Sequence, residues 1–382
     1  MQQQGALSGI RVLDLSRMLP GPYCSMILAD HGAQVIAIED KKFQEDGLFF
    51  SDLNRNKRHM SLNLKSPEGL AIFFRLAEKA DVILEGFRPG VVGRLGVDYQ
   101  AVQKINPRII YCSISGYGQT GPLRDRAGHD VNYLSTAGIL GLIGEKDRPP
   151  TIPGVQVADI AGGSMNAAVG ILLALIAREK TGQGQYVDIS MTDGMVGFLS
   201  LPYFFAERNG RQPKPADSLL SHRYGCYNTY VTADGRYLAL GAVENRFWRG
   251  LCEHLKRPEF IALQYDEERR EEIIGFLRQQ FLTKTLAAWE SDLAHLDICC
   301  SGVKTLAEVL TDPLFKAREM VHSYTDMHGV ERQGFGIPVK MSHTPGSIRT
   351  SPGPFGEGTR DILVEAGYSD AQIEAFIAAG AV

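Results

Sequence analysis

Apolar and polar positions along the first half of the chain follow the rhythm of strands joined by helices. Short apolar runs predict four strands, at residues 10–16, 35–39, 82–86 and 108–115. Apolar residues at helical spacing predict a helix over residues 67–80, and Pro22 starts a predicted helix that runs to about Asp30. This alternation indicates an α/β fold with a mainly parallel sheet covered on both faces.

Parallel sheets bind their ligands beyond the carboxyl ends of the strands. The loops to examine are therefore those that follow Ser16, Glu39, Gly86 and Ser115. Further along the chain, the pattern predicts a helix over residues 164–180, a strand over 185–190 and a helix over 193–207.

The pattern changes after a polar, proline-containing stretch at residues 211–221. An Ala-Asp-Gly turn joins predicted strands at residues 227–231 and 237–241, which is typical of a hairpin. Predicted helices follow at residues 246–254, 266–280 and 285–296. We therefore predict a second, smaller α+β domain over residues 224–326.

Composition excludes several classes of protein. The chain has 382 residues, of which 44% are hydrophobic and 22% charged, as in a soluble globular protein with room for two domains. The net charge of −4 gives no electrostatic reason to expect nucleic acid as a partner. We see no uninterrupted apolar run of membrane-spanning length and no secretory signal pattern, so we expect no membrane partner. Six cysteines without C-x-x-C spacing predict reduced, buried thiols and a cytoplasmic protein.

One glycine motif resembles a dinucleotide-binding loop but lacks its context. Residues 116–121 read GYGQTG and follow a predicted strand. The dinucleotide fingerprint needs a helix to begin at once, whereas Pro122 and a polar stretch come next. A plain glycine turn is the better interpretation. The sequence also has no metal-ligand spacing, no P-loop and no nucleophile elbow, so we predict no metal site.

The chemistry of the chain is concentrated in residues 127–163, AGHDVNYLSTAGILGLIGEKDRPPTIPGVQVADIAGG. His129 follows a glycine and precedes a carboxylate, and an imidazole at such a turn can exchange a proton near neutral pH. A structural histidine is the alternative. Asp159 precedes a double glycine and then the predicted helix, so it is either the N-cap of that helix or a base or nucleophile.

Three other groups are weaker candidates. Glu244 ends a predicted strand of the smaller domain and is otherwise an exposed capping carboxylate. Basic residues cluster in NRNKRH at residues 54–59 and in GFRPGVVGRLG at residues 86–96. Such clusters are usually solvated surface, but Arg and Lys also suit phosphate capture where a ligand is expected at the sheet.

Together these segments resemble a known family. The stretches LSGIRVLDLSRMLPGPYCSMILADHGAQVI, NRNKRHMSLNLK, GFRPGVVGRLG, SGYGQTGP, AGHDVNYL, ADIAGG and TPGSIRTSPGPFGEGTRDIL are similar to the family III CoA-transferase (CaiB/BaiF) superfamily, and most of all to its α-methylacyl-CoA racemase branch. The similarity covers nearly the whole chain, with separate motifs in the same order.

The resemblance implies an interlocked homodimer in which each chain has a large Rossmann-like domain and a small domain. On that basis residues 1–210 form the first part of a large CoA-binding domain, 224–326 the small α+β domain, and 327–382 a C-terminal return to the large domain. The implied catalytic residues are His129, Asp159 and Glu244. The implied CoA and substrate contacts are Leu62, Asn63, Leu64, Gly86, Phe87, Arg88, Arg94, Gly128, Asp130 and Tyr133.

Two reactions fit these residues. In a racemase or epimerase of 2-methylacyl-CoA thioesters, His129 and Asp159 would act on opposite faces of the α-carbon, with Glu244 on the His129 side. In a CoA-transferase acting on carboxylic acids, Asp159 would carry CoA as an aspartyl thioester. His129 together with Glu244 favours the racemase. The expected partner is an acyl-CoA substrate, with no cofactor beyond its CoA moiety. A CoA-binding subunit without activity is the third hypothesis.

Overall fold

The computed structural model describes residues 5–44, 51–326 and 329–382, apart from the Ser51 side chain. The chain divides into two compact units. Unit 1 comprises Met1–Ile139, Pro153–Leu199 and Pro313–Val382, and unit 2 comprises Leu140–Ile152 and Ser200–Asp312.

Unit 1 is built on a parallel sheet. Its six described strands are β1 (Arg11–Asp14), β2 (Gln34–Glu39), β3 (Lys57–Ser61), β4 (Val82–Glu85), β5 (Ile110–Ser115) and β6 (Gln185–Ser190). They lie in the order β3-β2-β1-β4-β5-β6, and each neighbouring pair is parallel. The order reverses between β1 and β4, which is where an open parallel sheet of this type binds its ligand.

Helices pack on this sheet. They are α1 (Pro20–Asp30), α2 (Pro67–Ala77), α3 (Val91–Leu95), α4 (Tyr99–Gln103), α5 (Asp130–Thr136), a π-helix (Ala158–Met165) that continues as α6 (Asn166–Thr181), and α7 (Met191–Val196). Buried side chains such as Phe73 on α2 and Ile83 on β4 belong to one apolar core. The predicted mainly parallel α/β sheet is confirmed.

The structure does not support phosphate binding by Arg55 and Lys57 in the basic stretch at residues 54–59. It leads into β3, a strand that the apolar pattern did not predict. Lys57 and Arg55 are each 6% exposed, and the Arg55 guanidinium donates to the Asp30 carboxylate at 2.7 Å. These two cations are therefore occupied by buried carboxylates and cannot serve as open phosphate ligands.

The helix predicted from Ser164 begins earlier in the structure. It starts at Ala158 with π-helical geometry, so Asp159 lies in its first turn and is not the N-cap residue. Gly162 and Gly163 lie within this helix, and their lack of a side chain permits close packing. A Cβ atom on Gly162 would lie 2.5 Å from the Met191 carbonyl oxygen. The glycine pair therefore permits contact with α7 and does not end the helix.

The same helix is apolar along its length. Ala158–Thr181 has the length and composition of a membrane span by those criteria alone. Ala167, Ile171 and Ala174 are nevertheless fully or almost fully buried within unit 1. A helix that packs one face into a protein core meets the same criteria in soluble proteins, so this feature is weak evidence for a membrane. The absence of a membrane partner stays a prediction.

Unit 2 contains both helices and strands. Its elements are α8 (Ser200–Asn209), β7 (Tyr227–Val231), β8 (Tyr237–Gly241), α9 (Asn245–His254), α10 (Arg270–Phe281), α11 (Leu286–Leu293), β9 (Cys300–Gly302) and α12 (Leu306–Thr311). Strands β7, β8 and β9 form an antiparallel sheet. Unit 1 resumes with α13 (Pro313–Ala317), β10 (Val321–Thr325), β11 (Glu331–Phe335), α14 (Thr359–Glu365) and α15 (Asp370–Ala378).

The limits of the units differ from the predicted domain limits. Helix α8 belongs to unit 2, although the sequence analysis assigned residues 1–210 to the large domain. The hairpin β10–β11 belongs to unit 1, although its first strand lies inside the predicted small domain at 224–326. The hairpin is tied to unit 1 by hydrogen bonds from Tyr324 to Asp52 and from Arg55 to the Phe335 carbonyl oxygen. Such tertiary contacts are invisible in a local pattern.

Candidate active site

A cavity of about 810 Å³ opens at the carboxyl ends of the central strands of unit 1. Residues that follow β1, β2 and β4 line it, among them Ser16, Asp40 and Phe87. This is the place where the strand order reverses, so the cavity occupies the ligand position that the predicted sheet implied.

Four of the predicted CoA contacts line this cavity: Leu62, Leu64, Phe87 and Arg94. Arg94 is exposed, and so are Gly86 and Arg88, which flank Phe87 in the chain. Asn63 separates the two leucines, but its backbone N–H donates to the Ala381 carbonyl oxygen at 2.8 Å. The mixture of apolar walls and exposed guanidinium groups suits a ligand that carries both an apolar part and phosphates.

Cations also stand over an aromatic ring in this cavity. The Arg17 guanidinium lies 3.5 Å, and the Lys42 ammonium 4.2 Å, from the centre of the Phe43 ring. Lys42 also lies 3.4 Å from the Asp40 carboxylate. These groups place positive charge beside the loop after β2 and offset the acidic Asp40.

A buried polar network fixes the floor of the cavity. The Asp14 carboxylate ends β1, is 1% exposed and accepts hydrogen bonds from the Ser25 hydroxyl and from the Ser16 backbone N–H at 2.9 Å. The Lys57 ammonium lies 3.7 Å from this carboxylate and donates to the Pro22 carbonyl oxygen at 2.9 Å. Burial lowers the pKa of Lys57, while Asp14 acts in the opposite direction.

His129 lies at the entrance to a short helix. It is the N-cap residue of α5, and its backbone N–H donates to the Asn132 side chain at 3.0 Å. Its side chain is exposed, which disfavours the structural-histidine alternative. The turn before it is held by Tyr133, whose hydroxyl donates to the Gly128 carbonyl oxygen at 2.5 Å.

The glycine before His129 has a steric cause. A Cβ atom on Gly128 would lie 2.7 Å from the Tyr133 ring, and one on Gly116 would lie 2.4 Å from the same ring. Tyr133 also packs edge-to-face on Tyr117, with ring centres 5.3 Å apart. Burial raises the pKa of Tyr133, the Asp159 charge raises it further, and Arg88 lowers it. The charges of Asp159 and Arg88 therefore act on Tyr133 in opposite directions.

Asp159 and His129 are brought together in unit 1. The backbone N–H of Asp159 donates to the Asp130 carboxylate at 3.0 Å, so the turn that bears His129 touches the turn that bears Asp159. Burial raises the pKa of Asp159 to about 6; the Asp130 charge adds to this rise and His129 opposes it. A carboxyl with this pKa exchanges its proton near neutral pH.

Glu244 belongs to unit 2. It is the N-cap residue of α9 and is exposed, but its side chain makes no capping hydrogen bond. Its backbone oxygen accepts the Phe247 N–H at 3.0 Å. The carboxylate is therefore not consumed by helix capping, which was the alternative role.

Two buried carboxylates that were not predicted from the sequence hold the loops beside the cavity. Asp14 organises the loop after β1, and Glu85 is 2% exposed at the end of β4 and accepts the Phe87 backbone N–H at 2.7 Å. Burial raises the pKa of Glu85 to about 7. The available signal was an acidic residue as the last member of an otherwise apolar strand.

Comparison with known proteins agrees with this architecture. The model of CoA-transferase family III matches residues 7–359. The alpha-methylacyl-CoA racemase of Homo sapiens is 35% identical over 96% of this chain and 95% of its own length. An acyl-CoA transferase of Fusarium pseudograminearum is 33% identical over 95% of this chain and 85% of its own length. The crystal structure of a CaiB/BaiF family protein from Brucella suis superposes with a TM-score of 0.83 and 30% identity, covering 95% of this chain and all of that one.

The parallel sheet and the cavity at its switch point define an α/β fold of the ligand-binding type, and the matched relatives make the chain an enzyme of the CoA-transferase and racemase type. The chain belongs to CoA-transferase family III. The predicted family is thus confirmed, and its relatives include both racemases and transferases.

Proposed function

We propose that the chain is a racemase or epimerase that inverts the α-carbon of a 2-methylacyl-CoA thioester. The observation that carries this proposal is the pairing of an exposed imidazole with a half-buried carboxyl, joined through the Asp130 bridge. The Asp159 pKa of about 6 suits a group that must both take and give a proton.

The reaction needs two proton carriers on opposite faces of one carbon. One base removes the α-proton, the electrons of the C–H bond move toward the thioester oxygen, and an enolate forms. The conjugate acid on the other face then returns a proton to the α-carbon, so atoms and charge balance. His129 and Asp159 are the two carriers, and backbone N–H groups at the start of α5 or of the π-helix would donate to the enolate oxygen.

The CoA moiety would be held in the cavity of unit 1. We assign it to the apolar and cationic walls around Phe87 and Arg94, and we keep Arg88, whose charge acts on Tyr133, as a further contact. The remaining predicted contacts, namely Asn63, Gly86, Gly128, Asp130 and Tyr133, stay proposals, as does Glu244 in its role beside His129. No cofactor beyond CoA is expected.

CoA transfer between carboxylic acids is the second candidate, because relatives of that activity match over the same part of the chain. In that reaction the Asp159 carboxylate would attack the acyl-CoA carbonyl, which releases the CoA thiolate and forms a mixed anhydride. The thiolate would then attack the aspartyl carbonyl, which releases the carboxylic acid and leaves an aspartyl-CoA thioester. That reaction requires no imidazole, so the exposed His129 beside the Asp159 turn favours proton transfer.

Isotope exchange separates the two reactions. The protein is incubated with 2-methylacyl-CoA in heavy water without any second carboxylic acid, and deuterium at the α-carbon is followed by NMR. We expect exchange without an acceptor, together with loss of optical purity. Absence of exchange, combined with a thioester on Asp159 that hydroxylamine traps, would establish the transferase instead.

We also propose a homodimer, as the family resemblance implies. The end of the π-helix and α6 together present a run of exposed apolar side chains in unit 1: Met165, Val169, Leu172, Leu173 and Ile176. Leu173 is 62% exposed and Ile176 is 58% exposed. A continuous apolar face of this kind is typical of a protein interface.

Replacement of Leu173 by Glu should disrupt this dimer. A charge placed in the centre of an apolar interface loses its hydration without gaining a partner, so we expect the variant to sediment as a monomer at concentrations where the wild type is a dimer. Analytical ultracentrifugation measures both. Val364→Glu on α14 is the control, since Val364 is 52% exposed on another helix. A dimer that survives in Leu173→Glu would exclude α6 from the interface.

The cellular compartment is a further proposal. All six cysteines are free, and Cys24, Cys112, Cys226 and Cys252 are buried. Buried thiols of this kind suit a reducing compartment, so we propose the cytoplasm.

A further inference from the structure

We propose that the Asp130 side chain is a positioning residue that holds the first turn of the Asp159 helix through a hydrogen bond and places a second negative charge next to that turn. This inference rests on the proposed proton transfer and adds a role to a residue that was assigned only to substrate contact. The Asp130 carboxylate contributes in two ways: its oxygen accepts a hydrogen bond from the Asp159 backbone, and its charge acts on the Asp159 carboxyl.

The acceptor oxygen satisfies a backbone group at a helix start. The first N–H groups of a helix have no partner within the helix. Asp159 is in the first turn of the π-helix, and its N–H donates to Asp130 Oδ1 at 3.0 Å. Asp130 is 9% exposed and is the first residue of α5. Its backbone is therefore fixed by one helix while its side chain fixes the next.

This bridge joins the two proposed proton carriers mechanically. Asp130 directly follows His129 in the chain, so the same turn presents the imidazole and anchors the Asp159 backbone. The bond uses the Asp159 main chain and leaves its carboxyl out of the contact. The bridge can therefore stay in place whether Asp159 is protonated or ionised, as repeated turnover requires.

The negative charge of Asp130 acts on the Asp159 carboxyl. Burial is the largest cause of the raised pKa of Asp159, the Asp130 charge is the second, and His129 opposes both. Tyr133 on α5 in turn has its pKa raised further by the Asp159 charge. Tyr117 and Arg88 also act on Tyr133. On the helices that pack against this turn, Asp193 interacts with Asp188, Cys24 and Asp14 interact with each other, and Asp30 and Arg178 are held in ion pairs.

Two substitutions separate the contributions. Asp130→Asn keeps an acceptor oxygen for the Asp159 N–H but removes the charge. Asp130→Ala removes both. Because a like charge raises the pKa of a carboxyl, its removal lowers that pKa. In Asp130→Asn we expect the Asp159 carboxyl to titrate at lower pH, and the acidic limb of the exchange rate to move to lower pH with it.

Asp130→Ala should in addition misplace Asp159. We expect kcat for α-hydrogen exchange to fall by roughly 10²-fold, the size of effect that a small misplacement of a reacting group produces. KM should change less than kcat, because Asp130 is not among the residues that line the cavity of unit 1. Asp130→Asn should recover most of this kcat, since it restores the acceptor.

The decisive measurement is the titration of the Asp159 carboxyl itself, by carbon-13 NMR of labelled protein, with Asp159→Asn to assign the resonance. It requires no turnover, so a protein without racemase activity would overturn the proposed function and leave this measurement valid. Asp125→Asn is the control, an exposed carboxylate in the same loop that should leave the titration unchanged. An Asp159 pKa that is the same in wild type and Asp130→Asn would overturn the charge role. A wild-type kcat in Asp130→Ala would overturn the positioning role.

Discussion

Replacement of His129 by Ala should reduce α-hydrogen exchange by about 10²- to 10⁴-fold, the range that a positioned acid or base contributes. The imidazole is exposed at the N-cap of α5, and the structure gives it no packing role that would make its removal unfold the chain. The dissociation constant for CoA should therefore stay close to the wild-type value. Exchange is followed by deuterium NMR and CoA binding by calorimetry.

The same variant also tests the competing reaction. A transferase that carries CoA on Asp159 does not require an imidazole proton carrier, so His129→Ala would then retain its activity with a carboxylic acid acceptor. His295→Ala is the matched control, because His295 is also exposed but belongs to unit 2. Wild-type exchange in His129→Ala would refute the two-carrier mechanism.

The sheet of unit 1 is the part of the fold that local pattern could predict. Strands such as β4 and β5 are buried along their whole length, and most of their residues are apolar. The glycine motif at residues 116–121 was correctly interpreted as a turn, since no helix begins directly after Gly121. Both predictions depended only on residues that are neighbours in the chain.

The features that the sequence could not predict depend on contacts between residues far apart in the chain. The basic stretch before β3 looks like solvated surface or a phosphate site, because nothing nearby in the chain shows that Asp30 and Asp14 lie opposite Arg55 and Lys57. Gly162 looks like a helix breaker, because its neighbour on α7 lies far along the chain. Charge pairing and close backbone approach are properties of the fold and not of a local window.

The candidate site likewise has a part that the sequence could predict and a part that it could not. The residue types His129 and Asp159 could be proposed from glycine-flanked motifs in the sequence. Their proximity depends on a hydrogen bond between Asp130 and the Asp159 backbone across two helices, and the raised pKa of Asp159 depends first on burial. Sequence therefore suggested the chemical groups, while the fold sets their protonation behaviour.

Replacement of Lys57 by Met should destabilise unit 1 by about 3–5 kcal/mol, the range measured when one partner of a buried ion pair is removed. The Lys57 side chain is fully buried, and methionine fills most of its volume. The loss is therefore electrostatic, because Asp14 keeps a buried carboxylate without its cation. For a unit of this size the melting temperature should fall by roughly 6 °C or more, as measured by circular dichroism.

Lys79→Met is the matched control, because Lys79 is exposed and should change stability by no more than about 0.5 kcal/mol. The double variant Asp14→Asn with Lys57→Met removes the isolated charge and should recover part of the loss, since the amide oxygen can still accept from the Ser16 N–H. If Lys57→Met melted like the wild type and bound CoA more weakly, Lys57 would be a phosphate ligand after all. If Lys57 instead acts as the partner of Asp14, the variant should lose stability, and its affinity for CoA should change only as far as the loop after β1 is displaced.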